Sequence, residues 1–315
     1  MRASVLVCEP SGWPSSKNAR RNQRPSQAAR CSAVCQPCAA WDGRWFRRAF
    51  FDDGQPLGSH TNTEARIDLI AQAWAVLSSA AAPALQRAAM EAVEEHLVDA
   101  DAGLIRLLDP PLAHQQPSAG YIQAYPPGVR ENGGQYAHAG VWALMAQAEL
   151  ARAGPASDAA TDRPYRYFTW LSPAHRSAHP TQGLAYGLEP YVMAGDVYTQ
   201  PPHVGRGGWS WYTGAAAWMH RAAIESLFGL RLEAQELHFL PCLPSAWPEA
   251  ELTLRRDGRT LRFILLRAGA SDALAATAHQ GARLLRPGER LAWPQLAGAH
   301  CFVLPLLGDS APAPT

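Results

Sequence analysis

The sequence predicts a mainly α-helical domain that is followed by a small antiparallel β-sandwich. Apolar residues recur at helical spacing in several segments between Thr63 and Phe228. From Glu236 onward the chain changes to short alternating segments that are separated by turn residues. Helices grouped before strands are typical of segregated layers, whereas a parallel sheet is built from alternating strands and helices. We therefore expect two regions of different architecture, with the helical region first.

Helical periodicity predicts six helices in the first region. Residues 63–79 carry their apolar side chains on one face, and Thr63 is the expected cap. The other helices are expected at 83–98, 134–153, 165–171, 188–198 and 215–228. Before the first helix, an extended segment that starts at Trp41 is expected to close on a turn at Asp53 and Gly54.

Gly229 ends the last predicted helix, and strand patterns follow it. The expected strands are 236–240, 251–256, 260–266, 273–277 and 300–304, with an extended piece earlier in the chain at 104–108. Turn residues such as Asp257-Gly258 separate the strands. The predicted domains are a helical domain at 41–232 and a sandwich at 233–306, in which Cys242 is expected to be buried.

The two ends of the chain have a different composition. Residues 1–40 show no persistent period, so we expect them to be disordered or spurious sequence. The tail at 307–315 is rich in proline and alanine and is expected to be loose.

Composition excludes several classes of function. The formal net charge of +1 argues against nucleic-acid binding, and no apolar run approaches the ~20 residues that cross a bilayer. Cys31, Cys35 and Cys38 cluster, but no second pair at zinc spacing follows them, so no metal is expected. The N-terminus does not read as a signal peptide, so a reduced, cytoplasmic protein is expected. Eleven tryptophans favour carbohydrate as a ligand.

Two long loops precede predicted helices and carry the functional signals. The loop at 201–214 reads PPHVGRGGWSWYTG and runs directly into a helix. A glycine-rich junction of this kind exposes backbone N–H groups at the positive end of the helix dipole, where an anion is stabilised. The loop at 110–132 precedes another helix in the same way. We expect the two loops to form one shared pocket.

Four segments in order carry a resemblance to a known family. They are YPPGVRENGGQYAH at 125–138, EPYVMAGDVY at 189–198, PPHVGRGGWSWYTG at 201–214 and LPCLPSAWP at 240–248. In this order they resemble glycoside hydrolase family 94, the inverting glycoside phosphorylases. The segment at 41–59 is similar to the subgroup formed by the C-terminal phosphorylase-like domain of cyclic β-1,2-glucan synthases. The resemblance implies an (α/α)6 barrel, here its C-terminal half, followed by a jelly-roll-like sandwich.

The resemblance also implies a reaction. Inorganic phosphate attacks the anomeric carbon of a β-glucosidic bond with inversion and gives α-glucose 1-phosphate. A carboxylic acid protonates the leaving oxygen, and phosphate takes the place of the water that an inverting hydrolase activates. The implied partners are a β-linked glucan or glucooligosaccharide and phosphate as co-substrate, with no cofactor. In a full-length member of the subgroup, the resemblance implies an inner-membrane anchor.

The phosphate-binding residues implied by the family motifs are His138, Thr213 and Gly214. His138 stands in NGGQYAH, where the alternative is a histidine that packs inside a helix. Thr213 and Gly214 stand in WYTG and match a hydroxyl and a backbone N–H that contact phosphate. Thr213 is also suited to cap the helix, and both roles are compatible.

The residues that match the acceptor-sugar site are Tyr125, Arg130 and Glu131. Arg130 stands where cellobiose-type members have lysine, so the acceptor linkage is expected to differ from that of cellobiose. For Tyr125, packing within its own loop is the alternative role. Asp196, Arg206 and Trp209 are further candidates; Asp196 either faces the donor sugar or caps a turn.

One part of the family pattern has no counterpart here. The family's general acid is an aspartate that precedes the segment matched by Trp41, and residues 1–40 contain no aspartate. We therefore expect a fragment that is inactive alone and has the missing N-terminal half as a partner. Two alternatives stay open: a non-catalytic glucan-binding or complementing fragment, and a hydrolase in which Glu131 activates water.

Overall fold

A computed structural model describes residues 2–8, 40–155, 157–233, 235–267, 281–286, 288–296 and 298–306. The chain divides into two compact units. Of the described residues, the first unit contains 40–153 and 163–223, and the second contains 2–8, 154–162 and those from 224 to 306. The predicted strand at 273–277, the tail at 307–315 and the cluster of Cys31, Cys35 and Cys38 lie outside the described residues.

The described helices and strands have the following bounds. The helices are α1 (Leu69–Leu77), α2 (Pro83–His96), α3 (Tyr121–Ala124), α4 (Ala137–Ala153), α5 (Asp158–Leu171), α6 (Pro173–Arg176), α7 (Pro180–Tyr186) and α8 (Thr213–Arg221), and α8 continues as a π-helix over Ala222–Leu227. The strands are β1 (Arg2–Cys8), β2 (Ala49–Phe50), β3 (Pro56–Leu57), β4 (Ile67–Asp68), β5 (Val98–Asp99), β6 (Leu104–Ile105), β7 (Leu108–Asp109), β8 (Gln135–Tyr136), β9 (Asp196–Val197), β10 (Leu230–Glu233), β11 (Glu236–Phe239), β12 (Glu249–Arg256), β13 (Arg259–Arg267), β14 (Arg283–Leu284), β15 (Leu291–Ala292) and β16 (Ala299–Leu306). The described chain is thus a mixture of helix and sheet and is less helical than predicted.

The first helix starts later than its periodicity predicts. Asp68 is the N-cap of α1, and its Oδ1 accepts the N–H groups of Ile70 at 2.8 Å and Ala71 at 3.3 Å. The two residues before the helix form β4, which pairs antiparallel with β7. The prediction that Thr63 caps the first helix is therefore wrong, because strand pairing holds the chain extended up to Asp68.

The predicted helix at 188–198 is absent from the structure. Part of this segment is β9, which pairs antiparallel with β8, and the N–H of Gly195 donates to the carbonyl oxygen of Trp209 at 2.6 Å. Tertiary pairing overrides the local helical pattern here. Two short helices, α6 and α7, precede the segment, and each has proline at its first turn.

The core of the first unit lies between α1, α2, α4, α5 and α8. α4 packs against both α1 and α8. Three tryptophan rings connect these helices: Trp142 of α4 lies 5.5 Å from Trp74 of α1 and 5.8 Å from Trp218 of α8, between ring centroids. Tryptophans of this unit are therefore used partly as core. Among the described residues, no helix has the length and apolar character that a membrane span requires.

The second unit contains two sheets that share one core. The three-stranded sheet has the order β10-β11-β15 and is antiparallel. The five-stranded sheet has the order β1-β12-β13-β16-β14, in which β12–β13 is antiparallel and the other pairs are parallel. Apolar residues of both sheets, such as Phe239, Phe263 and Phe302, form a single cluster, and Cys242 is buried as expected.

The purely antiparallel sandwich is therefore wrong for the larger sheet. A parallel pair needs a long connection, and the chain between Arg267 and Ala299 supplies one for β13 and β16. Residues 1–40 were expected to be disordered or spurious, but their described part contains a strand, because Arg2–Cys8 pairs with Glu249–Arg255. The apolar run Val5-Leu-Val7 is the local signal for this strand.

A buried carboxylate holds the extended segment that enters the first unit. Asp42 Oδ1 accepts the N–H groups of Arg44 and Trp45, both at 2.9 Å. Its Oδ2 accepts the N–H of His60 at 2.7 Å and the hydroxyl of Ser59 at 3.1 Å. Burial acts to raise the pKa of Asp42, but the N–H groups of Trp45, His60 and Arg44 outweigh it and lower the pKa to about 2.

We expect Asp42→Asn to lower the free energy of unfolding by about 2 kcal/mol at pH 7, because the ionised form is favoured in the folded state. A depressed pKa gives stability that is present above the unfolded value of 3.8 and is lost as the pH falls through about 2. Urea denaturation of both proteins at pH 7 and near pH 2 measures the difference.

The matched control is Asp101→Asn, which changes an exposed carboxylate of the same unit. It is expected to change stability by less than about 0.5 kcal/mol at either pH. An Asp42→Asn penalty that is the same at both pH values would contradict the assigned charge effect.

Candidate functional site

Three helices of the first unit begin at residues of the candidate site, and two of them begin at sequence-predicted residues. His138 is the second residue of α4, Thr213 and Gly214 are the first two of α8, and Asp68 caps α1. The first hydrogen bond of α8 runs from the N–H of Ala216 to the carbonyl oxygen of Tyr212 at 3.0 Å. The N–H groups that precede it have no carbonyl within the helix, so the start of α8 is a set of donors at the positive end of a dipole.

Gly214 allows the imidazole of His138 to approach the start of α8. A Cβ atom built on Gly214 would lie 2.8 Å from Nε2 and 3.2 Å from Cε1 of His138, closer than side-chain atoms pack. The ring of His138 stacks on Tyr136 at a centroid distance of 5.7 Å and meets the edge of Tyr212 at 5.5 Å. The structure thus places His138 against Gly214, with Thr213 next to it in the chain.

The environment of His138 favours its neutral form. Burial lowers the pKa of the imidazole below its usual 6.5. Its Nδ1 is buried and has no hydrogen-bond partner among the described residues. A neutral imidazole carries one N–H donor and one acceptor nitrogen, so His138 can exchange a hydrogen bond with a ligand at the start of α8.

A pocket of about 260 Å³ opens beside His138. Its polar lining consists of Arg48, Asp68, Glu131, Tyr136 and His138, and the rest of the wall is apolar or aromatic. Convergent polar groups in a mostly apolar wall are typical of small-molecule sites. Within the described residues no group of three His, Cys, Asp or Glu side chains is arranged to bind a metal ion.

Arg130 stands at the centre of an aromatic cluster next to this pocket. Its guanidinium carbon lies 5.6 Å from the ring of Tyr125, 5.7 Å from Trp209 and 5.9 Å from Tyr212. Its Nε lies 3.7 Å from Oε2 of Glu131. Burial works against the charged guanidinium, but Tyr125, Glu131 and Tyr212 outweigh it and raise the pKa of Arg130.

The backbone of Arg130 is held in an unfavourable conformation by Asp196. Arg130 has φ of 49°, in the left-handed region, and its N–H donates to Oδ2 of Asp196 at 2.7 Å. Asp196 is 1% exposed, and burial raises the pKa of its carboxyl group. A Cβ on Gly208 would lie 2.1 Å from Oδ1 of Asp196, so a residue with a side chain does not fit there. Of its two expected roles, the geometry favours the turn.

The other candidates have separate positions. Trp209 is 66% exposed, and its ring belongs to the aromatic cluster around Arg130. The side chain of Arg206 is exposed, and its backbone belongs to a turn in which the N–H of Tyr198 donates to the Arg206 carbonyl oxygen at 2.8 Å. Thr213 is exposed and makes no capping hydrogen bond, since Tyr212 is the N-cap of α8 without a side-chain bond.

Sequence reasoning missed Arg48, Asp68 and Tyr136. Asp68 directly precedes a helical apolar pattern, which is the signal of an N-cap. Tyr136 stands two residues before His138 within the same motif. Arg48 has no comparable local signal, because only the folding of the β2–β3 hairpin brings it to the pocket.

Comparison with known proteins identifies the class. Residues 15–229 match the sequence profile of the Glycosyl hydrolase 94 superfamily, catalytic domain. The chain belongs to glycoside hydrolase family 94, as the motifs predicted.

Similar proteins include one synthase and several phosphorylases. The chain is 41% identical over 254 residues to the cyclic beta-(1,2)-glucan synthase NdvB of Rhizobium meliloti (strain 1021), an alignment that covers 78% of this chain and 9% of that protein. It is 32% identical to a solabiose phosphorylase of Paenibacillus borealis, over 67% of this chain and 26% of the relative. It is 28% identical to an N,N'-diacetylchitobiose phosphorylase of Vibrio proteolyticus, over 76% of this chain and 28% of the relative. The chain therefore spans between 9% and 28% of the length of these relatives.

We expect Gly214→Ala to weaken binding of inorganic phosphate at least about tenfold, because the new methyl group displaces the imidazole of His138 from the start of α8. The NMR titration of His138 provides a second measurement. The pKa of the free wild type should lie below 6.5, rise on addition of phosphate, and lose this response in the variant.

Gly183→Ala is the matched control, since Gly183 lies within α7 and a Cβ there meets its nearest atoms at 3.6 Å. This control is expected to bind phosphate as the wild type does. Wild-type phosphate affinity in Gly214→Ala would show that the contact is packing alone.

Proposed function

We propose that this chain provides the phosphate- and acceptor-binding part of an inverting glycoside phosphorylase that acts on β-1,2-linked glucan. The observation that carries the proposal is the contact of His138 with the first turn of α8, beside a pocket that also contains Glu131. The similarity to a cyclic beta-(1,2)-glucan synthase and to phosphorylases supports the choice of substrate. In this proposal the helical unit is the C-terminal half of an (α/α)6 barrel.

Phosphate binds, in our proposal, beside the contact of His138 with the start of α8. Backbone N–H groups and the hydroxyl of Thr213 donate to its oxygens, and His138 supplies a further N–H. Donors that are fixed before the reaction stabilise the anion without reorganisation. One phosphate oxygen then forms a bond to the anomeric carbon, while the glycosidic C–O bond breaks and its oxygen takes a proton from a carboxylic acid.

The pocket carboxylates are poorly placed to be that acid. Asp68 is 5% exposed, and its oxygens face the N–H groups of α1 and the guanidinium of Arg48. Oε2 of Glu131 lies 3.7 Å from Nε of Arg130 and is therefore engaged by that cation. We therefore propose that the general acid comes from another segment and that this chain alone is inactive.

The acceptor sugar is proposed to lie against Arg130 and its aromatic neighbours. The guanidinium has five N–H donors in a fixed plane, and the rings of Tyr125 and Trp209 orient it. Glu131 accepts hydrogen bonds from sugar hydroxyls on the pocket side. Arginine presents its donors in a different geometry from lysine, which supports an acceptor linkage different from that of cellobiose.

The test measures catalysis and binding separately, using β-1,2-glucooligosaccharides and inorganic phosphate. We expect no release of glucose 1-phosphate, but saturable binding of both ligands by calorimetry. His138→Ala should lose phosphate affinity and Arg130→Ala should lose oligosaccharide affinity, each by at least about tenfold, with the other affinity kept.

Each alternative result would indicate a different function for this chain. Phosphate-dependent release of glucose 1-phosphate would mean that the chain contains its own general acid. Release of sugar without phosphate that is lost in Glu131→Gln would establish the hydrolase. Oligosaccharide binding with no phosphate binding would establish a glucan-binding fragment.

A further inference from the structure

We propose that Arg48 is a phosphate-binding residue, which contacts the anion together with His138. This inference rests on the proposed function and adds to it a residue that the motifs did not indicate. Arg48 and His138 line the same pocket of about 260 Å³, and in this proposal one phosphate ion in the pocket contacts both.

The charge balance of the pocket is the first argument. Phosphate carries between one and two negative charges near neutral pH. His138 is favoured in its neutral form, and the N–H groups of α8 are dipoles without formal charge. Among the described residues that line the pocket, Arg48 has the one side chain whose positive charge is independent of pH.

The backbone of Arg48 is fixed by the β2–β3 hairpin. Its N–H donates to the carbonyl oxygen of Leu57 at 2.8 Å. Gly58, which follows Leu57, has φ of 81°. A Cβ atom on Gly58 would lie 2.7 Å from the backbone nitrogen of Arg48 and 2.8 Å from the Cβ of Arg48. The hairpin therefore packs directly against the backbone and Cβ of Arg48, which restricts the positions that the guanidinium can take.

Asp68 orients the guanidinium and leaves most of its donors available. Oδ2 of Asp68 lies 3.4 Å from Nε of Arg48, while Oδ1 is occupied by the N–H groups at the start of α1. The contact involves the inner nitrogen Nε, so it does not use the terminal nitrogens of the fork. The Arg48 side chain is 37% exposed. Arginine binds phosphate through such a pair of parallel N–H groups.

The experiment compares Arg48→Met, Arg48→Lys and the control Arg44→Ala by calorimetry with inorganic phosphate and, separately, with a β-1,2-glucooligosaccharide. We expect Arg48→Met to weaken phosphate binding at least about tenfold and Arg48→Lys to weaken it less, because lysine keeps the charge but not the fork. Oligosaccharide affinity should stay within about twofold of the wild type. Arg44 is exposed and lies outside the pocket, so its variant should bind both ligands normally.

Asp68→Asn gives a readout that a purely structural ion pair would not show. Asparagine still caps α1, but it removes a negative charge that competes for Arg48, so phosphate should bind more tightly, by about threefold to tenfold. Thermal unfolding confirms that each variant is folded; if Arg48→Met is not, Arg48→Lys and Asp68→Asn decide the question.

The failures are distinguishable. Wild-type phosphate affinity in folded Arg48 variants, with binding reduced in His138→Ala, would overturn this inference and leave the proposed function intact. A wild-type chain that binds no phosphate would overturn both.

Discussion

The contact between the imidazole of His138 and the first turn of α8 is the constraint on which the site depends. It requires that α4 and α8 pack with their starts side by side, and it requires that residue 214 has no side chain. The contacts among Trp74, Trp142 and Trp218 connect α1, α4 and α8 at the edge of the core. The same packing that stabilises the first unit therefore places an uncharged ring next to free backbone donors.

A second set of contacts joins segments that are far apart in the sequence. Asp196 of β9 accepts the N–H of Arg130. β9 also pairs with β8, which places Asp196 opposite Tyr136, two residues before His138. Arg130 then extends between the rings of Tyr125 and Trp209, which come from the two long loops. The two loops were expected to form one shared pocket. They meet at Arg130, but among the described residues only the loop at 110–132 lines the pocket beside His138.

The sequence predicted the structure well where the pattern is local, and less well where pairing between distant segments determines the backbone conformation. Motif register identified the residues around His138, and periodicity located α2 and α4, because a helix is specified by residues three and four positions apart. The segment 188–198 carries a similar pattern but becomes partly a strand, since β8 and the loop at Trp209 satisfy its backbone groups. Arg48 and Asp68 were missed for the same reason: a hairpin and a strand pair bring them to the pocket, and neither pairing can be inferred from one segment. The parallel pairs of the larger sheet depend likewise on distant partners.

The left-handed backbone of Arg130 has a consequence for how this position can evolve. A side chain in that region costs roughly 1 kcal/mol or more, whereas glycine adopts it freely. A lineage under selection for folding alone would drift toward glycine at residue 130 and gain stability. An arginine retained at residue 130 against this drift would indicate selection for something other than stability, and comparison of residue 130 among copies of the domain would reveal it.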